Sequence, residues 1–175
     1  MTTNNFNLQP DFLENEIIKL IPLEKNHFED LYKVASDPLI WEQHPNNNRY
    51  EREVFLNFFE DAIESKGAFI IFDKTKNEIA GSTQFYDFEP ANNSIFIGCT
   101  FYGRNYWGTG FNAQVKKIML DYAFQFVNKV QFYIGPKNYR SQKAIEKLGA
   151  QKIDEVNVDY NNEPSRHNFV YQIKK

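Results

Sequence analysis

Residues 67–102 constrain the fold more than any other part of the chain, because three short apolar runs follow one another with only brief polar turns between them. The runs read GAFIIFD, IAGSTQFYDFE and SIFIGCTFY, and the turns read KTKNE and PANN. Runs of this length that are rich in Ile, Phe and Tyr are typical of β-strands. Since such short turns reverse the chain direction, the pattern predicts an antiparallel three-stranded meander.

Helical and short apolar segments flank this meander. The predicted helices are 24–37 with one further helical turn at 39–44, then 50–65, 112–127 and 138–149. The other predicted strands are 16–23, 129–135 and the arms of a closing hairpin, 151–160 and 165–173. This order predicts one mixed α/β (α+β) domain over residues 16–175, with a central, mostly antiparallel sheet of six or seven strands and about four helices. Polar residues 1–15 are interpreted as an N-terminal arm or a short capping segment.

Charge and cysteine content exclude several classes of protein. The 175 residues carry a formal net charge of −3 with Lys and Glu interspersed, whereas nucleic-acid-binding proteins present a basic excess or patch. The single cysteine excludes an internal disulfide, and no apolar run reaches the roughly 18 residues that a membrane-spanning helix needs. The N-terminus lacks a signal-peptide pattern, and three scattered histidines give no metal-ligand spacing. We therefore expect a cytoplasmic protein without metal, nucleic-acid or membrane partners.

A glycine loop, YWGTGF at residues 106–111, joins the meander to the next predicted helix. The first N–H groups of a helix are unpaired and carry partial positive charge, and glycine lets an anion approach the backbone without an intervening Cβ. The loop containing Gly108 and Gly110 therefore fits a phosphate-binding turn, with Arg104 as a further charged contact. The alternative is a plain turn in which glycine serves only a positive φ angle.

A second polar pair follows roughly thirty residues later, at the start of the next strand–loop–helix unit. Asn138 and Ser141 are spaced i, i+3 and therefore share one face of the predicted helix. Taken alone, Asn138 is better interpreted as a helix N-cap. The glycine loop and this pair together, in this order, indicate a ligand site built from two adjacent units.

With these motifs in register, the chain resembles the GNAT superfamily of N-acetyltransferases, and within it the RimJ/RimL branch of ribosomal-protein-alanine acetyltransferases. KLIPLEKNHFEDLYKVASDP resembles the opening strand and helix of the family, and NYWGTGFNAQ resembles its pyrophosphate loop. NYRSQKAIEKLGAQ resembles the segment N-x-x-S-x-x-x-x-E-K-x-G. The resemblance covers about residues 16–175 and implies a single GNAT-like domain. It also implies that strands 94–102 and 129–134, the fourth and fifth, splay apart into a V.

The resemblance implies acetyl-CoA as the acyl donor. Backbone N–H groups of residues 107–112 would hold its pyrophosphate, the backbone at 100–102 would pair with the pantetheine arm, and Asn138 would hydrogen-bond that arm. The implied cofactor-binding set is Thr100, Phe101, Tyr102, Asn105, Trp107, Gly108, Thr109, Gly110, Phe111, Asn112, Asn138 and Ser141.

The implied reaction is transfer of an acetyl group to a primary amine by direct attack on the thioester. The amine belongs either to a protein N-terminus or to a small molecule, and the protein acts as a monomer or a homodimer. The backbone N–H of Thr100 or Phe101 would stabilise the oxyanion, and the Ser141 hydroxyl would assist the leaving thiolate.

Three positions depart from the family pattern. Asn105 stands in place of glutamine or arginine, Ile145 in place of the tyrosine that serves many relatives as general acid, and Phe96 in place of a glutamate. These departures motivate an alternative interpretation, a catalytically silent acyl-CoA-binding module.

Other residues keep more than one interpretation. The candidate general bases are Glu42, His44, Asp87 and Glu89, each of which is also interpreted as an exposed charge, while His167 either lines the acceptor site or packs. Cys99 alternates with Ile97 and Phe101 in a strand and is expected to be a core residue rather than a nucleophile. Either an acceptor pocket or core packing accounts for Trp41, Tyr86, Phe88, Tyr102 and Tyr133.

Overall fold

A computed structural model describes residues 5–160 and 163–175. Its strands are β1 (Ile18–Pro22), β2 (Ala68–Asp73), β3 (Glu78–Glu89), β4 (Ser94–Tyr102), β5 (Lys129–Ile134), β6 (Gln151–Tyr160) and β7 (Glu163–Lys174). They form one seven-stranded sheet in the order β1-β2-β3-β4-β5-β7-β6. Every neighbouring pair is antiparallel except β4 and β5, which run parallel. The predicted meander and closing hairpin are confirmed, and part of the predicted turn at 161–164 lies outside the described residues.

Five α-helices accompany the sheet in the described part of the chain, where about four were predicted. They are α1 (Phe28–Ala35), α2 (Pro38–Trp41), α3 (Arg52–Ser65), α4 (Phe111–Ala123) and α5 (Tyr139–Glu146). The helical turn predicted at 39–44 is a separate helix, because the Asp37 side chain accepts a hydrogen bond from the backbone N–H of Leu39 and Pro38 occupies the first turn. No helix among the described residues has the length and apolar character needed to cross a membrane.

The sheet is buried on both faces by separate apolar clusters. Alternate residues of β2 point to opposite faces, so that Phe69 and Ile71 join the cluster beneath α4 while Ala68 and Ile70 join the cluster beneath α1 and α3. The strands therefore read as continuous apolar runs. This sandwich holds β4 rigidly between two packed layers.

The described part of the N-terminal segment packs against the first of these clusters. Phe6 and Leu13 are buried in it, and the Phe6 ring lies 5.5 Å from Phe85 and 5.3 Å from Tyr122 between centroids. Two largely buried apolar side chains of this size contribute several kcal/mol, at roughly 25 cal/mol per Å² of apolar area buried. Residues 5–15 thus contribute to the same core as the sheet.

Candidate active site

The candidate site begins where β4 and β5 part. Their parallel ladder pairs Ser94–Phe96 with Lys129–Gln131 and then stops, although both strands continue and are fully described. The sheet therefore opens into the predicted V. The opening forms a cleft of about 500 Å³ between the ends of these strands, the glycine loop, α4 and α5.

A β-bulge shapes β4 inside this cleft. Its pairing with β3 passes from Gln84↔Gly98 to Ser82↔Phe101, so that Cys99 and Thr100 together lie opposite Thr83. Cys99 adopts a left-handed φ of 51°, which is uncommon for a residue with a side chain. Bulges bend a strand and release backbone groups from the ladder, and they are frequent beside active sites. Here the bulge residues Cys99 and Thr100 and the following Phe101 all line the cleft.

The glycine loop has the geometry of an anion-binding turn. Gly108 and Gly110 have φ angles of 71° and 82°, and no other atom lies within 4 Å of the position that a Cβ would occupy at either glycine. Gly110 is the N-cap of α4, no side chain caps that helix, and its first turn contains no acidic residue. The Phe111 N–H donates to Thr109 Oγ1 at 3.3 Å. The positive end of the helix dipole lies beside the open space at the two glycines, which suits phosphate binding.

The start of α5 forms the opposite wall. Asn138 is the N-cap of α5, as one of its two interpretations predicted, because its Oδ1 accepts the Ser141 backbone N–H at 3.3 Å. Asn138 and Ser141 also both line the cleft. Arg140, Lys143 and Lys147 line the cleft from the same helix. This wall carries three positive charges at helical spacing, which complements a polyanionic ligand.

Nine of the twelve residues predicted to bind the cofactor line the cleft, namely Thr100, Phe101, Tyr102, Trp107, Gly108, Gly110, Asn112, Asn138 and Ser141. The other three face elsewhere. The Asn105 amide lies 3.5 Å from Glu78, Thr109 donates a hydrogen bond to the Tyr106 carbonyl, and the Phe111 ring is buried against Tyr106. Arg104 pairs with Asp37 outside the cleft.

His44 lines the cleft but is poorly suited to act as a base. Burial, and then the nearby Arg49 charge, lower its pKa well below the ordinary range, so the ring is neutral. Nδ1 accepts the Asn46 backbone N–H at 2.9 Å, and an Arg49 guanidinium nitrogen lies 3.3 Å from Nε2. A neutral imidazole has one lone pair, and both of its nitrogens already face donors. With Nδ1 accepting, the proton of the neutral ring lies on Nε2, so the ring keeps no free lone pair for the proton of the amine.

The remaining candidate bases do not line the described cleft. Burial, and secondarily Glu89, raise the pKa of Asp87, but Asp87, Glu89 and Glu42 all lie outside the lining. His167 is exposed on the closing hairpin, where its Nε2 lies 3.1 Å from Glu155. Hence we assign none of these side chains as the general base. A water molecule in the cleft would accept the proton of the amine.

The aromatic candidates divide between cleft and core. Trp41, Tyr102 and Tyr133 line the cleft, whereas Phe88 packs in the main core. Tyr86 supports the cleft from behind, with its ring 6.5 Å from Tyr133 between centroids. Core packing therefore holds for Phe88, and the acceptor pocket stays a prediction for Trp41, Tyr102 and Tyr133.

Cys99 is expected to be chemically inert. It is half-buried at the bulge, and burial raises the pKa of its thiol from 9.0 to about 11. A two-unit rise reduces the thiolate fraction near pH 8 about 100-fold, and the thiolate is the reactive form. Alkylation by iodoacetamide at pH 8, followed by intact mass, should be about 100-fold slower in the folded protein than in the urea-unfolded chain. Equal rates would contradict this assignment.

The sequence interpretation missed Lys116, which lies on the cleft side of α4. It is 3% exposed and lines the cleft, and its Nζ donates a hydrogen bond to Thr100 Oγ1 at 3.0 Å. Burial lowers its pKa from 10.5 to about 7. The available signal was its position on the buried stripe of the helix, one turn before Met119 and Leu120.

With this geometry established, comparison with known proteins identifies the family. A sequence profile described as "Acetyltransferase (GNAT) domain" matches residues 18–151. The chain belongs to the GNAT acetyltransferase family. The chain is 31% identical over 86 residues to an N-acetyltransferase of Bacillus licheniformis named p20, itself uncharacterized. That match spans about half of each protein, 48% of this chain and 48% of the relative.

Solved structures share the whole fold at low sequence identity. A GCN5-related N-acetyltransferase from Brucella melitensis superposes with a TM-score of 0.78 at 18% identity, covering 97% of this chain and 83% of that one. The spermidine N-acetyltransferase of Vibrio cholerae, solved with CoA and spermine, gives 0.68 at 13% identity, covering 91% and 96%. Within the described residues, no group of three or more His, Cys, Asp and Glu side chains is arranged to hold a metal ion.

Proposed function

We propose that this protein is an acetyl-CoA-dependent N-acetyltransferase that transfers the acetyl group directly to a primary amine. The observation that carries the proposal is the unpaired V between β4 and β5, which ends at an uncapped, glycine-lined helix N-terminus. A pantetheine arm fits such a gap as an added strand, with its diphosphate on the helix N-terminus. Membership of the GNAT family and the CoA in the Vibrio cholerae structure support the same donor.

The chain contributes binding and charge stabilisation to this reaction. The bulged backbone at Thr100 and Phe101 supplies N–H donors for the oxyanion, Asn138 hydrogen-bonds the pantetheine, and the Ser141 hydroxyl lies near the sulfur. Arg140, Lys143 and Lys147 supply positive charge for the phosphates. Holding two reactants in one geometry and stabilising the oxyanion together provide most of the rate of an acyl transfer.

Within the family, we infer that this chain belongs to the RimJ/RimL branch. The position of the general-acid tyrosine is occupied by Ile145, which is 4% exposed and apolar, while a serine lies at position 141 on the cleft wall. This combination resembles that branch, whose usual acceptor is the N-terminal amine of a protein. The acceptor of this chain is therefore either a protein N-terminus or a small amine.

The charge of the cleft favours acceptors that carry few positive charges. None of the described residues that line it is Asp or Glu, whereas Arg49, Lys116, Arg140, Lys143 and Lys147 all line it. A polyamine entering this cleft would leave its additional ammonium groups without carboxylate partners. We therefore expect neutral peptides and amino compounds with a single amine to be better acceptors than spermidine.

An acceptor panel tests the proposal. Thiol release from acetyl-CoA is measured with neutral N-terminal peptides, single-amine compounds and spermidine, and acetylated products are identified by mass. We expect turnover with at least one single-amine acceptor, at a kcat/KM at least about 10-fold above that for spermidine, or about 1.4 kcal/mol. Preferential spermidine turnover would refute the acceptor preference.

The silent acyl-CoA-binding module is the second outcome of the same panel. It is motivated by the apolar Ile145 where a general acid stands in relatives. Acetyl-CoA binding measured by calorimetry, without thiol release for any acceptor, would establish the module and refute the enzyme. Failure to bind acetyl-CoA would refute both.

A further inference from the structure

Lys116 occupies an unusual position for a lysine. It projects from the middle of α4 beneath the β4 bulge, where its Nζ bonds Thr100 Oγ1, and that hydroxyl lies 2.8 Å from Thr83 Oγ1. Among the described residues, no carboxylate pairs with Lys116. None of the ion pairs found there includes its amine. Burying an ammonium without a counter-ion is costly. Such a group is retained where a ligand supplies the compensating charge.

Burial is the one cause of the lowered pKa of Lys116. No charged neighbour contributes to the lowering of its pKa to about 7. The other titratable side chains that line the cleft are His44, Arg49, Cys99, Tyr102, Tyr106, Tyr133, Arg140, Lys143 and Lys147. A thiol has an ordinary pKa of about 8.5, so an ammonium of this acidity transfers a proton to a thiolate favourably.

Three O–H groups that line the cleft, those of Tyr102, Tyr106 and Ser141, are poor proton sources. The Tyr102 hydroxyl donates to Asn112 Oδ1 at 2.8 Å, and burial raises its pKa. The Tyr106 hydroxyl is bonded to Glu78 and Asp73, and burial again raises its pKa. The Ser141 hydroxyl can donate a hydrogen bond, but it yields a proton only if another group replaces it.

We propose that Lys116 is a catalytic residue of the acetyl transfer, as the proton donor to the CoA thiolate. The step rests on the acetyltransferase function proposed above. The neutral amine of the acceptor forms the new C–N bond, the C–S bond breaks, and the Lys116 ammonium gives one proton to the departing sulfur. The amide nitrogen releases its extra proton to solvent, and the Lys116 amine is reprotonated from solvent, so that the products are the acetamide and the CoA thiol.

The first test measures the ionisation of the thiol of bound CoA, in the absence of turnover. While Lys116 is protonated, below about pH 7, its ammonium stabilises a neighbouring thiolate. In that range the ultraviolet absorbance of the thiolate of bound CoA should therefore be higher in wild type than in Lys116→Met. Methionine is apolar and close in size, and it removes a buried charge, so the variant should keep or raise its melting temperature. Equal thiolate absorbance of the two proteins in that range would refute the contact with sulfur.

The second test separates a proton donor from a fixed charge. With the best acceptor of the panel, Lys116→Met should lower kcat about 100-fold or more and leave the Kd for acetyl-CoA within about threefold. Lys116→Arg keeps the charge but does not release its proton, so it should not restore kcat. Because the donor must be protonated, kcat of wild type falls as pH rises through the pKa of Lys116 in the complex, and this fall should vanish in Lys116→Met.

The outcomes distinguish this role from the proposed function. Wild-type turnover with an unchanged kcat in Lys116→Met would refute the role of Lys116 alone. Restoration of kcat by Lys116→Arg would show that charge suffices and would refute the proton transfer. A Ser141→Ala variant that loses the high-pH fall, while Lys116→Met retains it, would assign the proton to Ser141. Absence of wild-type turnover with every acceptor refutes the enzyme and, with it, this step.

Discussion

Replacing Gly108 with aspartate is expected to raise the Kd for acetyl-CoA about 100-fold or more, equivalent to about 2.7 kcal/mol of binding free energy. Gly108 has a φ of 71° and open space where a side chain would project. The variant therefore places a carboxylate in the space assigned to the pyrophosphate, at the positive end of α4. Calorimetric titration with acetyl-CoA at low and at moderate salt measures the loss, which should lessen as salt screens the repulsion.

Two matched variants separate this charge effect from backbone strain. Gly108→Asn introduces a nearly isosteric neutral side chain that tolerates the left-handed region, and it should weaken binding far less. Gly149→Asp makes the same change at another open glycine with a φ of 93°, and the cleft lining does not include that residue. It should leave acetyl-CoA affinity unchanged. A folded Gly108→Asp protein with wild-type affinity would overturn the assignment of the pyrophosphate loop.

Local sequence patterns were sufficient to predict the strands, helices and glycine loop that position the cleft. The apolar runs of the meander and the glycines of the loop are local signals, because strand periodicity and positive φ angles are set by neighbouring residues. The V between β4 and β5 was implied by resemblance rather than by residue patterns. The division of 24–44 into two helical segments was predicted, and the Asp37 cap with Pro38 in the first turn accounts for it.

Non-local contacts were beyond the reach of those patterns. Lys116 looked like one more polar residue of an amphipathic helix, and only the bend of β4 above it shows that its amine is buried beside Thr100. Likewise, Arg49 was placed in a polar loop and Glu163 in a turn. They are 114 positions apart, so nothing in the local sequence indicated that they form a pair.

That pair lies at the end of the cleft lined by Arg49 and His44, which we infer to be the acceptor end. Arg49 and Glu163 form a bidentate ion pair, with Nε–Oε1 and Nη2–Oε2 distances of 2.9 and 2.8 Å, and their side chains are only 4% and 7% exposed. Asn46 Nδ2 donates a further hydrogen bond to Glu163 at 2.7 Å. The Arg49 guanidinium also lies over the Phe58 ring, 4.4 Å from its centroid. The segment after α2 is thereby tied to the start of β7.

Replacing Glu163 with glutamine is expected to lower the free energy of unfolding by about 3 kcal/mol. The change leaves the Arg49 charge buried, and the new amide group faces donors from Arg49 and Asn46 where an acceptor is required. Urea denaturation with a common m-value measures the loss. The Kd for acetyl-CoA should change little because the glycine loop lies on another wall, whereas KM for the acceptor should rise, since Arg49 and His44 line that end of the cleft.

The double variant Arg49→Met with Glu163→Leu distinguishes an ion pair that stabilises the fold from one that merely avoids an unpaired charge. Removing both charges eliminates both desolvation costs, and methionine keeps the contact with Phe58, so we expect the double variant to recover most of the stability lost in Glu163→Gln. If so, the pair is retained for the shape of the acceptor end rather than for stability, and KM should stay high in the stable double variant. A loss below about 1 kcal/mol in Glu163→Gln would instead mean that water reaches Arg49, as at a surface ion pair.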